Sequence, residues 1–156
     1  MIPAKEFFEG DVPPIGVYGF DILRAEPSTR KSRDGSTYEV LSVRAEIHTA
    51  YKVTKGPTGP LAKAIRVTDS FPLTGKGVGK LKALYKAVTD KSIPVVIGEN
   101  GEAFINPKAI GDDLRGASVF GAYTHWTNDA TQEVSGNWGY SFARKAEDVY
   151  PPKELQ

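Results

Sequence analysis

Apolar and polar residues alternate with a period of two through the first half of the chain. From Gly16 to Ala25, Tyr18, Phe20 and Ile22 share one face, while Gly19, Asp21 and Leu23 share the other. This is the pattern of a strand with one buried side. A longer alternation runs from Thr37 to Thr49. Leu41, Val43, Ala45 and Ile47 lie on one face, and Val40, Ser42, Arg44, Glu46 and His48 lie on the other. A charged second face turns to solvent or to a ligand. A third strand is predicted from Lys63 to Phe71, with Ile65, Val67 and Phe71 inward and Arg66 and Thr68 outward. Between the strands lie a polar, basic loop from Pro27 to Ser36, with a hairpin-type Asp34-Gly35, and a second loop from Tyr51 to Leu61.

The period then changes. From Gly77 to Thr89, Val78, Leu81, Leu84, Tyr85 and Val88 follow the i, i+3, i+4, i+7 spacing of a helix with one buried stripe. Ile93 to Ile97 and Ala103 to Ile105 flank Asn100-Gly101, which predicts a small hairpin. Asn106 to Leu114 reads as a short helical turn. Two final strands are predicted, Ala117 to Trp126 and Asn137 to Ala143, joined by a polar loop. The organisation is a loose N-terminal arm over 1–14 carrying Phe7 and Phe8, one domain over 15–146, and an extended tail over 147–156. The fold class expected is mainly β with one helix. Five strands with a helix after the third give the order of an oligonucleotide-binding (OB) barrel, an order other small α+β folds also share.

Composition narrows the chemistry. At 156 residues the chain has the length of one domain with one core. It has no cysteine, which excludes disulfides, thiolate metal sites and cysteine nucleophiles. No apolar run approaches the roughly 20 residues of a membrane span, and Met1 to Asp11 lacks the basic-then-apolar pattern of a signal peptide. A cytoplasmic protein with no membrane contact is expected. The net charge of +1 hides an asymmetry. From Arg24 to Arg66 there are nine basic residues and four acidic ones, a local excess of five. Such a concentration points to an anionic partner on one face.

Catalytic constellations are sparse. Two histidines, His48 and His125, do not make a multi-histidine metal centre. Triad members can lie far apart in sequence, but no G-x-S-x-G elbow is present. Asp112-Asp113 and Glu147-Asp148 are paired carboxylates without a convincing third ligand. Asp112-Asp113 sits where a helical turn is expected to start, a position that favours negative charge. Gly75 to Lys80 has the look of a phosphate loop, but Thr74 stands where the pattern needs glycine and Leu81 where it needs a hydroxyl. A helix start there can still hold a single phosphate. No catalytic residue, metal or cofactor is expected.

Aromatic residues interleaved with basic ones give the better signal. Single-stranded nucleic acid is held by a cationic groove and by flat side chains on which bases stack, at about 1–3 kcal/mol each. Tyr38 follows the loop of Arg30, Lys31 and Arg33. Tyr51 stands beside Lys52 and Lys55, and Arg44, Lys63 and Arg66 lie on the neighbouring strands. The two loops are expected to border a groove, with Arg44 and Arg66 on its floor. In the last two strands Tyr123, His125, Trp126, Trp138 and Tyr140 add rings. If Val119 faces the core, so does Tyr123, and Trp126 faces away. Tyr18, Phe20 and Phe71 are assigned to the core.

The order of features resembles a group of phage early-gene proteins. The matching stretches are Pro14-Ile15-Gly16-Val17-Tyr18, the Arg30 to Gly35 loop, the Tyr38 to Ile47 strand and Asp69-Ser70-Phe71. Gly79-Lys80-Leu81-Lys82-Ala83-Leu84 and Asp113-Leu114-Arg115-Gly116 follow. The resemblance spans about Pro14 to Ala143. It implies a relation to phage single-stranded-DNA-binding proteins with OB folds, which act in replication and recombination. Phage or host replication and recombination proteins, and further copies of the chain, are then expected partners. Many such proteins end in an acidic tail; this one mixes three acids with a lysine over 147–156. Two other readings compete: a magnesium-dependent nuclease, and a virion structural or assembly protein.

Overall fold

The structure is a computed structural model. It describes residues 14–143 apart from 55, 76 and 133, and for 134–143 the backbone alone. The arm with Phe7 and Phe8, Lys55, the tail, and the side chains of Trp138 and Tyr140 therefore lie outside the described residues.

Strands β1 (Gly16–Lys31), β2 (Thr37–Val53) and β3 (Gly59–Pro72) form an antiparallel meander. Helix α1 (Val78–Thr89), a short hairpin of β4 (Val96–Ile97) and β5 (Ala103–Phe104), and helix α2 (Pro107–Leu114) follow. Strands β6 (Ser118–Thr127) and β7 (Val134–Ala143) complete the described chain. The five long strands make one sheet in the order β3-β2-β1-β6-β7, and β4 pairs with β5 alone. The protein is thus mainly β, with two short helices rather than the one expected.

Each segment forms for local reasons. Asn106 caps α2 by accepting from the Ala109 amide at 3.2 Å, and Pro107 follows in the first helical position, where its missing N–H costs nothing. Helix α1 has no side-chain cap; it ends at Asp90, whose left-handed backbone returns its N–H to Lys86 O at 2.8 Å. The strands outrun the sequence expectation. β1 continues from Ala25 to Lys31 through Pro27. Beyond Ala117 and Ser118, β6 no longer flanks it, so a residue without an N–H is tolerated on a strand with an open side.

The core lies on one face of the sheet, the inner face. Tyr18, Phe20 and Ile22 of β1, Leu41, Val43, Ala45 and Ile47 of β2, and Phe71 of β3 are buried there with Val119 and Tyr123 of β6. Helix α1 adds Leu81, Leu84 and Tyr85, and α2 adds Ile110 and Leu114. Each such large side chain contributes about 1.5–3 kcal/mol on leaving water. Burial, then the Asp113 carboxylate that accepts from Tyr85 at 2.6 Å, push the Tyr85 hydroxyl up to about 12. That bond ties the two helices together. Gly111 meets β1 so closely that a Cβ would stand 2.2 Å from Ala25 O. Lys80 pins α1 to β3 by pairing with Asp69 and lying over the Phe71 ring.

Among the described residues no ladder joins the edge strands β3 and β7, although their Cα atoms approach within 8 Å and α1 packs against both. The sheet is therefore open where a closed barrel would carry a ladder between β3 and β7. No helix of the described residues is long and apolar enough to cross a membrane.

Candidate nucleic-acid interface

The face of the sheet away from the helices, the outer face, is built by parity. Arg24 of β1, Arg44 of β2 and Thr68 of β3 lie in one row across the strands. Asp21, Glu46 and Arg66 form the adjacent row on one side, and Glu26, Ser42 and Ser70 the adjacent row on the other. At about 3.3 Å per residue, rows on one face are about 7 Å apart. Arg24, Arg44 and Arg66 are all exposed. The floor that the sequence predicted as cationic is thus a mixed one, in which three arginines alternate with Asp21, Glu26 and Glu46.

Three bulges steer this face. β1 carries one extra residue between Ile22 and Arg24, and β2 carries His48 and Tyr51 as extras against β1. A bulge lets two consecutive residues share one side and sharpens the local twist. His48 and Thr49 do so: Nδ1 of the one lies 2.7 Å from Oγ1 of the other. Tyr51 and Lys52 do likewise. Lys52 is the cross-strand partner of Val17, and the Tyr51 ring meets Phe120 edge-on at 5.0 Å, beside Val17 and Ala122. This small apolar cluster sits on the outer face, separate from the core. Four residues beyond Ala122 on the same face of β6, past Thr124, is Trp126, 54 % exposed. The parity expected from Val119 holds: Val119 and Tyr123 are buried, and Trp126 faces away.

The remaining predicted positions lie further off. Arg30 and Tyr38 oppose each other near the far end of the β1–β2 hairpin, and Arg30 Nε donates to Ser70 Oγ at 2.9 Å. Lys31 and Arg33 continue to the turn. Asp34 orders that turn. Its Oδ1 accepts from Ser32 Oγ, from the Ser36 amide at 2.9 Å and from Ser36 Oγ at 2.6 Å. These bonds, Ser32 foremost and then Ser36, hold the carboxyl down at about 2. Gly35 takes the left-handed conformation the turn requires (φ 85°). Lys63 is exposed in a stretch of β3 whose residues 61–64 have no ladder partner.

One expectation needs correction. The Arg30–Arg33 turn and the Tyr51–Lys63 loop lie at opposite ends of β2, roughly 50 Å apart along the strand at its usual rise. They cannot flank one groove. The turn that lies at the Tyr51 end is instead the one between β6 and β7, from Asn128 to Gln132. Asp112 and Asp113 also differ from expectation: they occupy the last turn of α2, and Asp113 is spent on Tyr85. Lys80, at the helix start that can hold a single phosphate, pairs with Asp69. Sequence reasoning missed Arg24 as a member of the face, because the bulge at Leu23 shifts its parity.

Ser118 Oγ donates to Asp21 Oδ1 at 2.5 Å, and His48 Nε2 lies 3.3 Å from the same oxygen. Serine and histidine both converge on the carboxylate instead of on each other, so this is no nucleophile–base pair. Among the described residues no three histidine, aspartate or glutamate side chains gather as a metal site. The face offers exposed arginines, which suit anions, and an exposed indole.

Neither a protein-family model nor a curated protein matches the chain.

Proposed function

We propose that this protein binds single-stranded DNA, largely without regard to sequence, through the outer face of β1, β2 and β3, and catalyses no reaction. The observation that carries the reading is the set of three exposed arginines in adjoining rows, Arg24, Arg44 and Arg66, continued along β2 to Tyr51 and Lys52, with the exposed Trp126 beyond them on β6. Cations placed along a strand with a ring at one end suit a phosphate backbone with a stacked base. The strand order β3-β2-β1-β6-β7, with a helix after β3, is the order an OB barrel takes, and β7 lies close to β3. On that basis we propose a partly open barrel of OB type, in which β3 and β7 approach without pairing. The resemblance to phage early-gene proteins adds a setting: DNA replication or recombination in the host cytoplasm.

Trp126 supplies the signal for a test. The tryptophan fluorescence of a Trp138→Phe variant, which leaves Trp126 as the reporter, is titrated with a poly-dT oligonucleotide at several salt concentrations. Quenching with a log–log salt slope of roughly −3 is expected if four or five cations meet phosphates, each contributing about −0.7. Absence of binding at low salt rejects the proposal.

A second reading, a virion structural or assembly protein, is favoured by one observation: the apolar side chains of the β4–β5 hairpin, which stand in solvent. It predicts assembly that is indifferent to DNA.

A further inference from the structure

The segment between α1 and α2 holds most of the exposed apolar surface. Val95, Val96, Ile97, Phe104 and Ile105 are between 38 % and 65 % exposed. They are five of the eight large hydrophobic residues exposed among the described ones, so the exposure is a local feature rather than a general one. Val96 pairs with Phe104 and Ile97 with Ala103. Strand alternation therefore puts Val96 and Phe104 on one side of the hairpin and Val95, Ile97 and Ile105 on the other. Apolar residues on both sides are the pattern of a strand covered on both faces, yet here both sides are exposed.

The hairpin is nonetheless ordered. Gly98 N–H donates to Glu102 O at 2.8 Å, Gly101 N–H to Gly98 O at 3.0 Å, and Glu102 N–H to Asn100 Oδ1 at 3.1 Å. Ile93, at its base, packs against the core. Between the hairpin and α1 runs an open groove of about 460 Å³, lined by Val78, Ile93, Val95 and Ile105 and edged by Lys82 and Lys86. Solvent-facing apolar groups of this density mark a contact surface.

The charges say what covers it. Lys82 and Lys86 stand at the helix end of the patch, the apolar residues in the middle, and Glu99 and Glu102 at the hairpin tip. None of these four is in an ion pair among the described residues. A twofold axis through the apolar middle sets the acidic tip of one copy over the basic helix of the other, twice, with apolar surface against apolar surface. A foreign acidic segment would answer the lysines only and leave the tip unmatched. We propose that a second copy of this chain covers the hairpin, forming a twofold dimer. The helices and hairpin lie on the inner side of the sheet, so the dimer leaves the arginine rows of both copies open. This inference does not depend on what those rows bind.

The test is sedimentation of the full chain from low to high micromolar concentration. A monomer–dimer equilibrium is expected, weakened about thirtyfold or more by Ile97→Glu, the size of a hot-spot loss. Lys82→Glu with Lys86→Glu, and separately Glu99→Lys with Glu102→Lys, each weaken it, and all four changes together restore it. That restoration cannot come from misfolding. A chain that stays monomeric at every concentration overturns the proposal. So does a dimer that ignores these substitutions, or a monomer that takes up an acidic, apolar peptide instead.

Discussion

Near Gly16, β1 has β2 on one side and β6 on the other, and its side chains are buried from Val17 to Phe20. Near Lys31 it has β2 alone, and every residue from Glu26 onward is exposed. Both ends of this hairpin carry cations and a tyrosine. At the backed end Tyr51 leans on Phe120, with Trp126 nearby, and the sheet beneath is anchored by the core. At the projecting end Arg30, Lys31, Arg33 and Tyr38 ride on a two-stranded ribbon shaped by Asp34 and its serines. A ribbon without a packed face is marginal by itself. The same residue types are thus held by packing at one end and by turn chemistry at the other.

That contrast can be broken by experiment. The largest effect is expected from Phe20→Ala, which removes a fully buried ring and lowers global stability by about 3–5 kcal/mol. Tyr38→Ala, on the ribbon, costs less than about 0.5 kcal/mol. Urea denaturation measures both, and equal losses would mean that the two ends are not differently supported. Next comes Trp126→Ala, expected to weaken oligonucleotide binding by about 1–3 kcal/mol without shifting the denaturation midpoint. If affinity is unchanged, the backed end does not stack a base. Smaller again is the effect of Arg44→Ala or Arg66→Ala, each of which lowers the magnitude of the salt slope by about 0.7. The same measurement on Arg30→Ala decides whether the ribbon shares the strand: an unchanged slope restricts binding to the backed end.

The smallest effect is local. The Asp34 carboxyl titrates at about 2 in the folded turn, against an ordinary value of 3.8. A lowered value means that the ionised form is the one the turn stabilises, so its contribution is complete above about 3.8 and fades as pH falls towards 2. Protection of the Ser36 amide from exchange, taken relative to its intrinsic rate at each pH, is expected to fall over that interval, before any global unfolding. Asp34→Ala should give the same loss of protection at neutral pH. A Ser36 amide that stays protected in that variant would show that the ribbon is held by something other than its turn.

Much of this fold is legible in the sequence, since alternation is a direct imprint of a sheet with one buried face. Tyr18, Phe20 and Ile22, and the run from Leu41 to Ile47, were placed correctly by period alone, as was the stripe of α1. The limits of the strands were not, because Pro27 reads as a breaker until the missing neighbour beyond Ser118 is known. Bulges are invisible to a period-two count: nothing in His48 or Tyr51 announces an extra residue, and only the register with β1 reveals it. The candidate site suffered accordingly. Counting charge found the basic stretch from Arg24 to Arg66, but which acids lie between the arginines, and which end of β2 each loop occupies, are matters of cross-strand pairing. Asp113 looked like half of a carboxylate pair, and only its distance to Tyr85 shows it to be a link between helices.

The two extra residues in β2 also fix how far the chain may drift in length. Because the side-chain period is two, forcing His48 or Tyr51 into regular alternation in place of its bulge would turn every later residue of the strand over, carrying Ala50 or Val53 into solvent and Lys52 into the core. A single insertion or deletion between the bulges, other than loss of a bulge residue itself, accordingly breaks this frame, whereas length changes are free to collect in the turn from Asn128 to Gln132, where no such frame exists. The strand keeps its reading frame by its irregularities.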